Sequence, residues 1–339
     1  LLDGAGSIGR LVDRAASHGM NALAITDHGN LHGALEFYRK CKGKDLNPII
    51  GYEAYIAPES RFKKEAGSMK EASYHLTLLA QNRTGFRNLV KMASSASLEG
   101  FYFKPRIDKE LLADHNEGII CLSGCVSSEF NQAILRGHGS NQAEDHFNQA
   151  MDVARWFRDI FGERYFLEIM NNGVDIQRMS MEGSVEPSKP VGIPLVATSD
   201  CHYVDKTDAE AQDVMLCINT GKFRTDPGRM KMDGNTYFLR NQREMYEAFA
   251  GLEDAVARSQ EIADTVDIDL ELGQRHFPTF TLPENKTADQ MLRELCEQGL
   301  KERYEGDEEM LPGGEFSQVV RDRLDRELGV ISKLGFSNY

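Results

Sequence analysis

Two short apolar runs, Ala22-Leu-Ala-Ile-Thr26 and Gly192-Ile-Pro-Leu-Val-Ala-Thr198, lead straight into an acid and an imidazole. Asp27-His28 follows the first and Asp200-Cys-His202 the second. Apolar runs of this length, bounded by turn residues, read as buried strands. Side chains at i and i+2 of an extended segment share one side. Asp200 and His202 are therefore expected to point together, and a carboxylate beside an imidazole can hold a divalent metal. The same device on two strands far apart in sequence places a metal site at one face of an α/β sheet or barrel.

The rest of the chain fits that frame. Apolar strands are expected at 22–26, 48–56, 74–80, 118–122, 165–170 and 193–199, and amphipathic helices alternate with them, the pattern of a parallel α/β fold. Residues 172–191 resist assignment because Gly, Ser and Pro cluster near their end. From Gly273 to Pro283 the pattern breaks into a proline-containing connector, and two helical stretches follow at 287–304 and 316–335. A boundary near 272 divides the chain into 1–272 and 273–339.

The net charge of −14 argues against a general nucleic-acid coat, which would be basic. A local nucleic-acid site is compatible with it, because bound metals add positive charge that the formal count omits. The six cysteines show no framework spacing, no apolar run approaches the roughly 20 residues of a membrane span, and no leader is evident. A soluble protein of a reducing, cytoplasmic compartment is expected. The chain starts at Leu1 rather than Met, and its last residues follow directly on a helix, so a fragment of something longer is expected.

The candidate ligands lie in or at the ends of strands: Asp3, His28, Glu53, His75, Cys125, Asp200 and His202. Each alone has a plainer reading. A strand-end histidine is more often a satisfied polar residue, Cys125 could be a small buried hydrophobe, and Asp3 or Asp27 could cap the next helix. Together they exceed one tetrahedral site and imply two or more ions, with Glu53 able to bridge. His32 could buttress the site from four residues beyond His28. Clustered divalent ions activate water and clamp a phosphoryl group, so phosphoester hydrolysis is the natural reaction. The run Gly100-Phe-Tyr-Phe-Lys-Pro-Arg106 interleaves aromatics with Lys104 and Arg106, a pattern that can stack bases and grip phosphate, although an ordinary loop fits equally well. The basic run Lys222, Arg224, Arg229 and Lys231 reads as a solvated loop.

Several stretches resemble the PHP (polymerase and histidinol phosphatase) domain: Ala22 to Ala34, Gly51-Tyr-Glu53, His75 to Ala80 and Val196 to Tyr203. Leu122-Ser-Gly-Cys125, Glu99 to Asp108 and Asp325 to Tyr339 resemble more narrowly the version at the amino end of bacterial replicative DNA polymerase III alpha subunits. The resemblance covers essentially the whole chain. It implies a distorted (β/α)7 barrel followed by the mainly helical start of the polymerase palm. It implies the same ligands, Asp3, His28, Glu53, His75, Cys125, Asp200 and His202, holding up to three Zn2+ or Mn2+, with Glu53, Asp200 and His202 acting in catalysis through them. The family's first motif, His-x-His, is expected immediately before Leu1. A parent enzyme would extend a DNA primer-template with Mg2+ at palm acids beyond Tyr339 and would work with a sliding clamp and a proofreading subunit. The portion read here would be a 3′–5′ proofreading exonuclease. A metal-stabilised docking domain and a stand-alone phosphatase of the histidinol-phosphate type are the alternatives.

Overall fold

The computed structural model describes residues 3–274 and 280–339. Residues 275–279 of the expected connector, His276 among them, lie outside the described residues, as do Leu1 and Leu2.

In chain order the first unit runs α1 (Ile8–Ser17), β1 (Ala22–His28), α2 (Ala34–Lys42), β2 (Asn47–Ile56), α3 (Met69–Ala72), β3 (Tyr74–Ala80), α4 (Arg83–Leu98), β4 (Arg106–Ile107), α5 (Lys109–Asp114), β5 (Ile119–Leu122), α6 (Glu129–Gly137), α7 (Ala143–Phe161), β6 (Tyr165–Met170), α8 (Asp175–Val191), β7 (Leu195–Thr198), α9 (Ala209–Thr220), α10 (Gln242–Ala248) and α11 (Glu253–Asp264). The sheet has seven strands in the order β1-β2-β3-β5-β6-β7, with the two-residue β4 paired to β2. It curls into a distorted barrel surrounded by helices, as the sequence leads one to expect. The segment left unassigned from sequence is a helix, α8.

The distortion has a definite origin. Strands β1 and β2 are parallel, as are β5, β6 and β7, but β3 runs antiparallel to both β2 and β5. Reversal brings the start of β3 to the barrel end where the other strands finish, so His75 joins residues from their carboxyl ends. The β2–β3 contact is close: a Cβ on Gly51 would meet the Leu78 carbonyl oxygen at 2.3 Å, so only glycine fits there. Ile50, Tyr52, Ala54 and Ile56 of β2 and Leu76, Leu78 and Ala80 of β3 are buried in the main core, where apolar burial supplies the driving force.

The end strands β1 and β7 share no ladder among the described residues. The amino-terminal segment lies across the gap instead. Gly6 N–H donates to the His202 carbonyl at 3.2 Å, and Ala5 N–H donates to Gln212 Oε1 at 2.8 Å. The Gln212 amide also donates to the Asp3 carbonyl.

Glu271–Tyr339 form a second compact unit. Its helices are α12 (Ala288–Arg303) and α13 (Gln318–Lys333). Thr287 and Gln290 cap α12 reciprocally, and Arg293 of α12 pairs with Asp325 of α13 at 2.7 Å. No helix among the described residues is long and apolar enough to cross a membrane.

Candidate metal centre

All seven candidate ligands meet at one end of the barrel in an unbroken string of contacts. Asp200 Oδ1 is 3.6 Å from His202 Nδ1, and His202 Nε2 is 3.3 Å from Asp3 Oδ2. Asp3 Oδ2 is 3.1 Å from His28 Nε2, and His28 Nδ1 is 3.3 Å from Glu53 Oε2. Glu53 Oε1 is 2.6 Å from His75 Nδ1 and 3.3 Å from Cys125 Sγ. The helix-capping readings fall away, because Ser7 precedes α1 and Gly33 precedes α2.

Local sequence explains each placement. His28 and Glu53 are register partners on β1 and β2. Gly29 turns out of β1 with φ +66°, and a Cβ there would meet the Tyr55 ring at 2.9 Å. Cys125 sits on a turn set by Gly124 at φ +92°. The Asn131 amide donates to the carbonyls of Gly124 and Cys125 at 2.9 and 3.0 Å and holds that turn. The extended geometry expected for Asp200 and His202 is corrected. Strand β7 ends at Thr198, and Asp200 is left-handed at φ +49°, a conformation aspartate tolerates better than most residues. The two side chains come together through this turn, with His202 Nδ1 donating to the Asp200 carbonyl at 2.9 Å.

Charge is strongly redistributed. The Asp3 carboxyl is held far below the usual carboxylate range by its hydrogen bond to His202 and then by that to His28. Burial opposes charge on His202, but Asp3 and Asp200 outweigh it and push the imidazole up to about 9. His28 is likewise raised, since Asp3 and Glu53 overcome its burial. Burial works to raise Glu53, yet His75 and His28 win and lower it. Asp200 is raised by burial, with His202 opposing. Burial and the Glu53 carboxylate push the Cys125 thiol well up.

Two groups, Asp3-His28-His202 and His28-Glu53-His75, each bring three ligand atoms within 4.8 Å of one another. The buried His28 Nδ1 has no hydrogen-bond partner although the Glu53 carboxylate is only 3.3 Å away. An orphaned imidazole nitrogen facing a carboxylate, within a set of N, O and S donors, fits a divalent cation.

Ligand imidazoles must be neutral, so cation binding is expected to expel protons. Affinity should rise with pH through the titration of His202 near 9, and beyond it while the Cys125 thiol still carries its proton. The metal-free chain should behave oppositely. The folded-state pKa of His202 lies above its unfolded value of 6.5, so its contribution is complete below pH 6.5 and is lost as pH rises through about 9. The loss is about 3 kcal/mol at most. Thermal melts from pH 6 to 9.5, with and without metal, should therefore diverge; parallel curves would remove His202 from the site.

Lys104 and Arg106 separate. Lys104 Nζ stands 5.5 Å over the Tyr55 ring, which in turn packs on His28 and His75, so Lys104 is at the rim. Phe101 and Phe103 of the same loop are exposed. Arg106, expected to grip phosphate, is 2% exposed and cannot. Its guanidinium donates to the carbonyls of Gly100, Ala72, Arg61 and Lys63 at 3.0–3.2 Å, so it organises the loop from inside. His32 is exposed, and its backbone N–H donates to Asn30. Arg224 is half exposed and pairs with Asp213, as a solvated loop would, but the side chain of Arg229 is largely covered and forks onto the same Asp213 carboxylate, so that part of the run is structural.

Sequence reasoning missed Glu168 of β6. It is buried, accepts from Thr198 and Thr77 at 2.8 and 2.9 Å, and is pushed up to about 7 by its burial despite those hydrogen bonds.

Residues 1–172 match the family model for the PHP domain. The chain belongs to the PHP domain family. This PHP chain is 38% identical to the DNA polymerase III subunit alpha of Borreliella burgdorferi over 341 residues, which is 100% of the chain and 28% of that relative. It is 42% identical to the subunit of the same name from Thermus aquaticus over 313 residues, 90% of the chain and 25% of the relative. The PHP chain thus spans under a third of the length of these curated relatives. An amidohydrolase structure from Chromobacterium violaceum aligns over 73% of the chain and 93% of its own at 15% identity and a TM-score of 0.27, too slight a likeness to carry an argument.

Proposed function

We propose that this PHP chain is the amino-terminal portion of a bacterial replicative DNA polymerase alpha subunit and that its metal centre is a phosphoesterase removing mispaired 3′ nucleotides. The observation that carries the reading is the string of seven donors at one barrel end, with the half-buried Glu53 at its middle. Similarity to alpha subunits over the whole chain supports the parent, and on this reading residues from about 273 begin the polymerase palm. Polymerisation with Mg2+, the DNA primer-template, the clamp and the proofreading subunit belong to that longer protein.

Zn2+ or Mn2+ held by Asp3, His28, Glu53, His75, Cys125, Asp200 and His202 would activate water and neutralise charge on the scissile phosphodiester. The residues do the rest. Glu53 keeps its negative charge although largely withdrawn from water, which favours a cation beside it. His28 and His202 surrender their protons on loading. At the rim, Lys104 can pair with a phosphate, and exposed Phe101 and Phe103 can stack the bases of a frayed 3′ end.

The test uses the protein extended upstream by the family's His-x-His motif, loaded with Zn2+ or Mn2+ and given a 3′-mismatched primer. Metal-dependent removal of the mismatched nucleotide is expected, falling at least about 10²-fold in Asp200→Asn. An intact fold that digests no primer, and whose only response to Asp200→Asn is a lower melting temperature, would favour the docking-domain reading. Hydrolysis of a small phosphomonoester alone would favour the phosphatase.

A further inference from the structure

Glu168 is a carboxylate enclosed in the barrel, away from solvent and from every arginine or lysine that could pair with it among the described contacts. Enclosing such a group costs several kcal/mol unless hydrogen bonds compensate, and an apolar side chain would fill the space at no such cost. Its contacts are arranged in a particular way. Oε2 accepts from Thr77 of β3, two residues from His75. Oε1 accepts from Thr198 of β7, two residues before Asp200. Its backbone N–H donates at 2.9 Å to Ser123 Oγ, two residues before Cys125. Thr77 thus stands one pleat from His75 on β3, while Thr198 and Ser123 stand two residues before Asp200 and Cys125, at the turns that follow β7 and β5.

We propose that Glu168 is a positioning residue for the metal centre: through Thr77 and Thr198 it fixes the spacing of the strand ends that carry His75, Asp200 and His202. The inference rests on the metal reading of the site. Strand β3 runs against its neighbours and is separated from β7 by β5 and β6, and among the described residues β7 is laddered only to β6, so no direct pairing sets the spacing between the ends of β3 and β7. A bidentate carboxylate on the intervening β6 supplies a fixed span between two hydroxyls. Groups that orient ligands in this way ordinarily change metal affinity 10–100-fold when removed.

The experiment is a titration of the whole chain with Zn2+ or Mn2+ alone, against a chelating indicator, for the wild type, Glu168→Leu, Glu168→Gln, Thr77→Val and Thr198→Val, with Glu53→Gln as the site control. Glu168→Leu is expected to bind about 10–100-fold more weakly, while its metal-free melting temperature is unchanged or raised. Glu168→Gln should stay within about threefold, because an amide can accept from one threonine and donate to the other. Each valine variant should lose about tenfold or less. Wild-type affinity in Glu168→Leu, with binding abolished in Glu53→Gln, overturns the proposal and leaves the metal site standing. A glutamine variant as weak as the leucine variant also overturns it, since charge rather than span would then matter. Should Glu168→Leu fail to fold, wild-type affinity in both valine variants overturns it. A wild type that binds no metal, with Glu53→Gln indistinguishable from it, overturns the metal reading and this proposal with it.

Discussion

Glu53→Gln is expected to lower affinity for Zn2+ or Mn2+ by at least about 10²-fold and to take phosphodiester hydrolysis down with it. Glu53 touches more of the candidate ligands than any other carboxylate in the string: His28, His75 and Cys125. Glutamine has the same shape, so the barrel should fold, but it carries no charge. Its amide hydrogens would also face nitrogens or sulfur that a cation would otherwise engage. Calorimetric titration reads the affinity and circular dichroism the fold. Undiminished binding in a folded variant would exclude Glu53 as a ligand.

The second large effect is on stability. Arg106→Met should destabilise the PHP unit by about 4 kcal/mol, since it leaves the carbonyls of Gly100, Ala72, Arg61 and Lys63 without their buried donor. That corresponds to a melting temperature lower by about 10 °C. Arg106→Lys should recover only part of it, because an ammonium has three protons and no planar fork with which to reach four carbonyls. A drop under about 3 °C for Arg106→Met would show that the loop is held by other contacts.

Much of the barrel was legible because strand and helix periods differ. The runs 74–80 and 165–170 coincide with β3 and β6 residue for residue. Strand direction leaves no trace in such a pattern, so the reversal of β3 was invisible, although His75 was singled out by its place beside an apolar run. Helix α8 was hidden by Gly183, Pro187 and Pro190, residues that ordinarily end helices. Arg106 was misread because a cation in an aromatic run looks the same whether it faces phosphate or backbone carbonyls. Glu168 was missed because a glutamate within a strand reads as a solvent-facing residue. The available signal was the apolar run on both faces of the strand, Leu167 and Ile169 on one and Phe166 and Met170 on the face of Glu168 itself, which marks a strand covered on both sides. The αL turn at Asp200 could not be read from Ser-Asp-Cys-His, although aspartate is one of the few residues that permits it.

The gap between β1 and β7 makes the barrel a ring with a clasp, and the clasp is the Asp3 carboxylate gripped by two imidazoles. A cation seated there would lock the ring by tying the amino-terminal segment to both free edges. Ion occupancy can then be followed without any substrate: protease cutting near residues 3–7 and amide exchange along β1 and β7 should slow together on loading and quicken together on chelation. Chemistry and closure would share one fastener, so an ion lost from the centre would loosen the ring before any catalytic assay registered the change.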